Sequence, residues 1–232
     1  MPYILHIETA TKVCSVAVTE NDKLLYCKET SIANSHSSLI TLYSEEVLKN
    51  AGIGINKLSA VCVSMGPGSY TGLRIGVSTA KGFCYALNIP LIAVNTLQSM
   101  VNFFSAEHKG KIKKDTLLCP MIDARRMEVY TAILDNKAQF FKETSAEIID
   151  ENSFSEILSS KKMIFFGDGA LKCKQFLSSH NNAVFNEDFK VSAKGMIPIA
   201  WEKFQKKQFE DVAYFEPYYL KDFIATVPKK IF

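Results

Sequence analysis

Residues 3–11 read Tyr3-Ile4-Leu5-His6-Ile7-Glu8-Thr9-Ala10-Thr11, and residues 117–123 read Leu117-Leu118-Cys119-Pro120-Met121-Ile122-Asp123. Each is a short apolar run closed by a carboxylate, the composition of a buried strand whose last residue reaches a polar edge. After the first come an apolar run over residues 14–18, the turn pair Asn21-Asp22 and a third run over 23–28, which together predict a hairpin. Asp135-Asn136 stands at the matching place in the second half. A strand over 60–65 enters Gly66-Pro67-Gly68, and one over 163–166 enters Gly167-Asp168-Gly169. Helices are predicted over 37–51, closed by Gly52, and over 73–87 and 97–107, with a strand over 91–94 after Pro90. The plan recurs at an offset of 101 to 115 residues. It predicts a duplicated α/β fold, each half a mixed sheet flanked by helices, with halves at 1–108 and 109–232 and the lysine-rich stretch 109–115 as linker.

Composition narrows the class. A chain of 232 residues, 47% hydrophobic, has enough apolar surface for a substantial core. Its 27 Lys and Arg against 24 Asp and Glu leave a net charge of +3, too balanced to mark a nucleic-acid binder by itself. The first residues carry no basic leader pattern, and the apolar runs are too short to span a bilayer, so a cytoplasmic protein with no membrane association is expected. Six cysteines without C-x-x-C spacing fit free thiols in a core. His6, His36, His108 and His180 form no i, i+4 metal pair. His36 reads as a residue that caps or flanks the first helix.

The duplicated plan, with an acid closing the first strand of each half, is similar to the actin, sugar-kinase and heat-shock-chaperone superfamily. Its ATP-using members carry Asp-x-Gly-Thr at that strand, where glycine lets the backbone approach phosphates. Here the residues are Glu8-Thr9-Ala10-Thr11, and no glycine follows Gly195. An ATP-dependent kinase or ATPase is therefore the alternative function, favoured by the plan and opposed by these residues.

Ile7-Glu8-Thr9-Ala10-Thr11, His36-Ser37 and Gly66-Pro67-Gly68-Ser69-Tyr70-Thr71-Gly72-Leu73-Arg74-Ile75-Gly76 resemble the signatures of the TsaB (YeaZ) family. Asp123-Ala124-Arg125-Arg126, Gly167-Asp168-Gly169 and Pro217-Tyr218-Tyr219-Leu220 agree in order and spacing, so the resemblance covers essentially the whole chain. It implies a non-catalytic subunit that dimerises with the catalytic TsaD protein. The reaction served is threonylcarbamoyl transfer to N6 of the adenosine adjacent to the tRNA anticodon. It further implies cooperation with the small ATPase TsaE, tRNA reached through the complex, and a homodimer when the subunit is alone. The chain would have no cofactor of its own, with ATP or ADP bound within the assembled complex. Pairing through the first two helices makes Leu39, Ile40, Tyr43 and Val47 interface candidates on the first. Tyr70, Thr71, Gly72, Gly76, Thr79, Ala80 and Phe83 are the candidates on the second. Glu8, Gly66, Pro67, Gly68, Arg74, Asp123, Arg125, Arg126, Gly167 and Asp168 are taken as structural motif residues.

The residues themselves leave two readings of the second helix, which is apolar nearly all round: an internal helix, or one covered by a partner. Gly72, Gly76 and Ala80 fall four apart, where a neighbouring helix would approach closely. The glycine loop opens a helix, as anion sites do, but lacks the P-loop lysine, so it reads as a tight turn that leaves Tyr70 and Thr71 accessible. Arginine is rare, three residues against 24 lysines, and all three lie in these motifs. Arg125 and Arg126 are expected to fix the hairpin through ion pairs and carbonyl contacts, or else to touch a partner or nucleotide. Asp123 is expected to accept turn N–H groups. Ile197, Ala200, Trp201 and Phe204 predict a late helix with Lys203, Lys206 and Lys207 in water, and residues 218–232 are expected against the sheet or a neighbour.

Overall fold

In the computed structural model, residues 1–32 and 36–221 are described. The first half contains β1 (Tyr3–Glu8), β2 (Cys14–Glu20), β3 (Lys23–Thr30), α1 (His36–Asn50), β4 (Leu58–Gly66), α2 (Tyr70–Leu87), β5 (Leu91–Asn95) and α3 (Thr96–Glu107). The second contains β6 (Leu117–Asp123), β7 (Glu128–Leu134), β8 (Phe140–Ile148), α4 (Ser155–Leu158), β9 (Met163–Phe166), α5 (Ala170–Leu177), β10 (Ala183–Asn186) and α6 (Ile197–Gln205). The sheets run β3-β2-β1-β4-β5 and β10-β9-β6-β7-β8. Numbered within each half these are one order, antiparallel on the hairpin side and parallel on the other. The predicted duplication is present, with α4 a single turn where the first copy has a fifteen-residue helix.

The central strands β1 and β4 and the edge strand β5 are buried on both faces, which is why they read as continuous apolar runs rather than as alternating ones. Each half's last helix packs across the junction. Leu97, Met100, Val101 and Phe104 of α3 join Leu118, Ile122 and Phe166 of the second sheet. Ala200 of α6, with Ala193 and Met196 of the short 3-10 turn before it, joins Ile4, Ala60 and Ile92 of the first. Chain order therefore divides near residue 108, whereas the cores exchange their terminal helices.

Local chemistry sets the helix ends. The Ser69 side chain accepts the Gly72 N–H at 3.2 Å, so α2 begins at Tyr70, three residues before the apolar pattern suggests. Asn95 caps α3 through the N–H groups of Leu97 and Gln98. All six cysteines are free thiols, five of them buried. Among the described residues, no helix is long and apolar enough to cross a membrane. Beyond α6 the chain returns along β5 and over α2, where Lys81 Nζ donates to the carbonyls of Ala213 (3.1 Å) and Phe215 (3.0 Å). The Tyr218 N–H then donates to the Met65 carbonyl at 2.7 Å, so this segment lies on the end of β4. The expected tail from 222 to Phe232 lies outside the described residues.

Candidate functional site

The carboxyl ends of β1 and β6 face each other across a cleft of about 690 Å³. In α/β folds, ligands commonly sit outside the carboxyl ends of strands, and each half supplies a corner here.

The first corner is closed by its own backbone. Glu8 is fully buried, and its Oε1 accepts the Ala10 N–H at 2.7 Å and the Ser64 hydroxyl at 2.8 Å, while Oε2 has no partner. Burial raises its pKa to about 7, against the lowering effect of those hydrogen bonds. The turn after it is pinned by the glycine loop: the Ser69 N–H donates to the Ala10 carbonyl at 2.7 Å, and Thr9 Oγ1 donates to the Gly72 carbonyl at 2.8 Å. A Cβ at Gly68 would lie 2.4 Å from the Ala10 oxygen, and one at Gly72 2.1 Å from the Thr9 oxygen. A turn that cradles phosphates needs free backbone N–H groups and room for the anion to approach the backbone. Here the Ala10 N–H and carbonyl are both consumed internally and the Ala10 methyl abuts Gly68, so the residues present do not fit a nucleotide triphosphate in that mode. His36, predicted beside the first helix, is its first residue, buried, with Nε2 2.8 Å from the Thr11 carbonyl.

The second corner is open. Gly66 and Gly167 adopt φ of 113° and 103° at equivalent strand ends, a region glycine enters freely, which makes the two loops structural counterparts. Asp168 Oδ1 accepts the Asp123 N–H at 3.0 Å, and Asp123 Oδ1 accepts the Arg125 N–H at 2.9 Å, the turn role expected of Asp123. Burial, then the nearby Asp123 charge, raise the Asp168 pKa against the pull of Lys12 and Lys172. The expected ion pairs of Arg125 and Arg126 are not found: among the described residues, no ion pair involves an arginine. Lys172 from α5 takes that role. It pairs with Asp123 and donates to the carbonyls of Arg126 at 2.8 Å and Glu128 at 2.7 Å. A lysine on a different element reaches these carbonyls because β6 ends and β7 begins directly over the first turn of α5, a proximity with no sequence signal. Both arginines are exposed at positive φ, 71° and 46°. That conformation costs roughly 1–2 kcal/mol for a residue with a side chain.

The cleft rim also carries Tyr70, whose ring centroid lies 4.7 Å from that of Tyr219, and Arg74, whose Nη1 is 3.5 Å from the Tyr70 hydroxyl. The tilted contact of the Tyr219 ring, like the roles of Lys172 and Ser64, was not legible in the sequence.

The predicted interface residues separate into two groups. Gly72, Gly76 and Ala80 do not form a crossing point for a second helix. Gly72 and Gly76 pack against Thr9 of the same chain, and Ala80 is wholly buried in the first-half core. Small residues are needed there because the β1 turn lies against α2. Ile40 and Val47 are likewise buried in that core. Leu39, Tyr43, Tyr70, Thr79 and Phe83 are partly exposed and Thr71 is exposed; Leu42 and Tyr85 add large exposed side chains beside them. The second helix is thus not internal to the chain: one stripe joins the core, and Thr71, Arg74, Ser78, Gly82 and Ala86 mark an open one.

The family model "TsaD: tRNA N6-adenosine threonylcarbamoyltransferase" matches residues 30–229. The "tRNA threonylcarbamoyladenosine biosynthesis protein TsaB" of Escherichia coli is 30% identical over 230 residues, covering 96% of each chain. A solved structure from Pseudomonas aeruginosa, described as a protein with similarity to peptidase YeaZ, superposes with a TM-score of 0.82 at 19% identity, over 95% of this chain and all of that one. Component A of the (R)-2-hydroxyglutaryl-CoA dehydratase of Acidaminococcus fermentans gives 0.51 at 9% identity, over 90% of this chain and all of that one, a likeness of fold alone.

Proposed function

The chain belongs to the TsaB family of tRNA threonylcarbamoyladenosine biosynthesis proteins, and from that membership we propose that it is a non-catalytic subunit pairing with the catalytic TsaD protein. The observation that carries the reading is the contrast on α2. Its core stripe is locked to the β1 turn, which leaves the open stripe of Thr71, Arg74, Ser78, Gly82 and Ala86, flanked by the partly exposed Thr79 and Phe83 and by Leu39 and Tyr43 of α1, as the surface for a similar fold. Partly buried aliphatic and aromatic side chains ringed by polar ones are what an interface centre requires. The internally bonded Glu8-Thr9-Ala10 turn supports the absence of chemistry at this cleft. On this reading the chain has no cofactor of its own. ATP or ADP belongs to the assembled complex, TsaE is a further partner, tRNA is modified at the TsaD site, and the same helix face forms a homodimer when TsaD is absent.

Size-exclusion chromatography and calorimetry of the chain mixed with TsaD from the same organism test this. A stable complex is expected, and Thr79→Arg should weaken it at least tenfold while leaving the melting temperature unchanged. Ala80→Arg should instead unfold the isolated chain, because it places a charge in the core. Absence of any complex, or ATP turnover by the chain alone that Glu8→Gln abolishes, would overturn the assignment.

A further inference from the structure

We infer that the end of the second half remote from the cleft is a contact surface for the phosphodiester backbone of RNA, built from Lys113, Lys114, Lys137, Lys161 and Lys162 around the exposed ring of Phe141. Three separate segments bring these residues together. The Leu117 N–H donates to the Lys162 carbonyl at 2.9 Å, and the Thr116 N–H to the Lys113 carbonyl at 3.0 Å, so the linker ends against the start of β9. Leu118 pairs with Leu134 and Leu134 with Phe140, which puts the β7–β8 turn carrying Lys137, and Phe141 beside it, at the same end. Lys161 Nζ lies 5.3 Å from the Phe141 ring centroid.

Positive charge is in excess there. All five lysines are exposed, and none enters any of the seven ion pairs among the described residues, which tie up lysines 28, 142, 172, 174, 194, 206 and 221. The acids in the same turns are Asp115 and Asp135, and Asp135 Oδ1 already accepts the N–H groups of Lys137 and Gln139. This single end therefore matches the whole chain's net charge of +3, so the near-balanced composition hides a local surplus. Lysine ammonium groups on flexible stems suit a sequence-independent array of phosphates. A ring 54% exposed among them suits an unstacked base, the combination of charge and aromatic platform that single-stranded nucleic acids use. The choice of RNA rests on the proposed role in tRNA modification; the surface itself does not.

The test is binding of the purified full chain to unmodified tRNA transcript, followed by fluorescence anisotropy across a salt series. With all five lysines replaced by Gln, affinity at low salt should fall at least tenfold. The slope of log affinity against log salt should become shallower by about 3 to 5, close to one for each phosphate that the variant no longer neutralises. Phe141→Ala should weaken binding roughly 5- to 10-fold and leave the slope unchanged, as removal of stacking without removal of charge requires. Replacing Lys23, Lys49 and Lys57 of the first half by Gln should change neither. An unaltered slope in the five-lysine variant, or a preference for polyglutamate over tRNA, overturns the inference. A chain that binds TsaD normally but not tRNA refutes this surface alone and leaves the subunit assignment intact.

Discussion

The corner after β1 and the corner after β6 occupy one place in two copies of the same topology, yet their carboxylates lead opposite lives. Glu8 is swallowed, with one oxygen unpartnered, beneath a turn that packs backbone to backbone against α2. Asp123 stands half-exposed in a turn held by Lys172 and Asp168. One extra methylene, Glu for Asp, together with Gly68, Gly72 and Gly76 allows the first corner to collapse inward. The bulky Arg125 and Arg126 keep the second turn on the surface. Equivalent positions in a duplicated fold are thus free to become core in one copy and surface in the other.

The largest expected effect breaks the first corner. Gly72→Ala forces a methyl group to 2.1 Å from the Thr9 carbonyl, a clash with backbone that cannot rotate away, and should destabilise by about 3 kcal/mol or more. Gly169→Ala, the comparable test at the second corner, meets its nearest atoms at 2.9 to 3.0 Å and should cost roughly half as much. Urea denaturation of both variants, giving equal losses, would remove the asymmetry.

Next comes pH. The Glu8 pKa is raised to about 7, so folding retains a proton the unfolded chain gives up; stability from this group is full at acid pH and is lost as pH rises towards 7, on the order of 3 kcal/mol. His6, fully buried with Nε2 3.0 Å from Thr19 Oγ1, has its pKa lowered by burial to about 3. Its contribution runs the other way, present above about pH 6.5 and lost as pH falls towards 3. Between about pH 4.5 and 6.5 the two slopes oppose each other. Glu8→Gln should unmask the His6 slope, so that stability climbs with pH across that window. A parent chain that already climbs as steeply as the variant would show that Glu8 is ionised in the fold.

Smaller effects sharpen the second corner. Lys172→Met removes a partly exposed ion pair and two bonds to carbonyls, and should cost about 1 kcal/mol, most of it from the carbonyls left unpaired. Thermal melts detect that. Arg125→Gly should stabilise by up to about 1 kcal/mol, since glycine enters the left-handed region freely. If it also weakens the complex with TsaD, the guanidinium is retained for contact at the expense of stability. A destabilised Arg125→Gly would mean that the side chain holds the hairpin after all.

The strand, turn and helix order was legible because central strands buried on both faces are continuous apolar runs, while hairpin turns and glycine loops punctuate them at a repeating offset. The same local signals placed Glu8, Asp123 and the two glycine loops at equivalent strand ends. The spacing of Gly72, Gly76 and Ala80 marked a close approach but did not name the neighbour, because four-residue spacing is equally required by the chain's own β1 turn and by another molecule's helix. Burial assigned it to the former. Exchange of α3 and α6 between cores, the reach of Lys172 across β6 and β7, the ring contact of Tyr219 with Tyr70 and the gathering of five lysines at one end all join residues dozens of positions apart. A sequence encodes which faces are apolar and where the chain must turn. Which faces meet depends on how two similar halves fill each other's open sides, and that was decided only when the sheets came together.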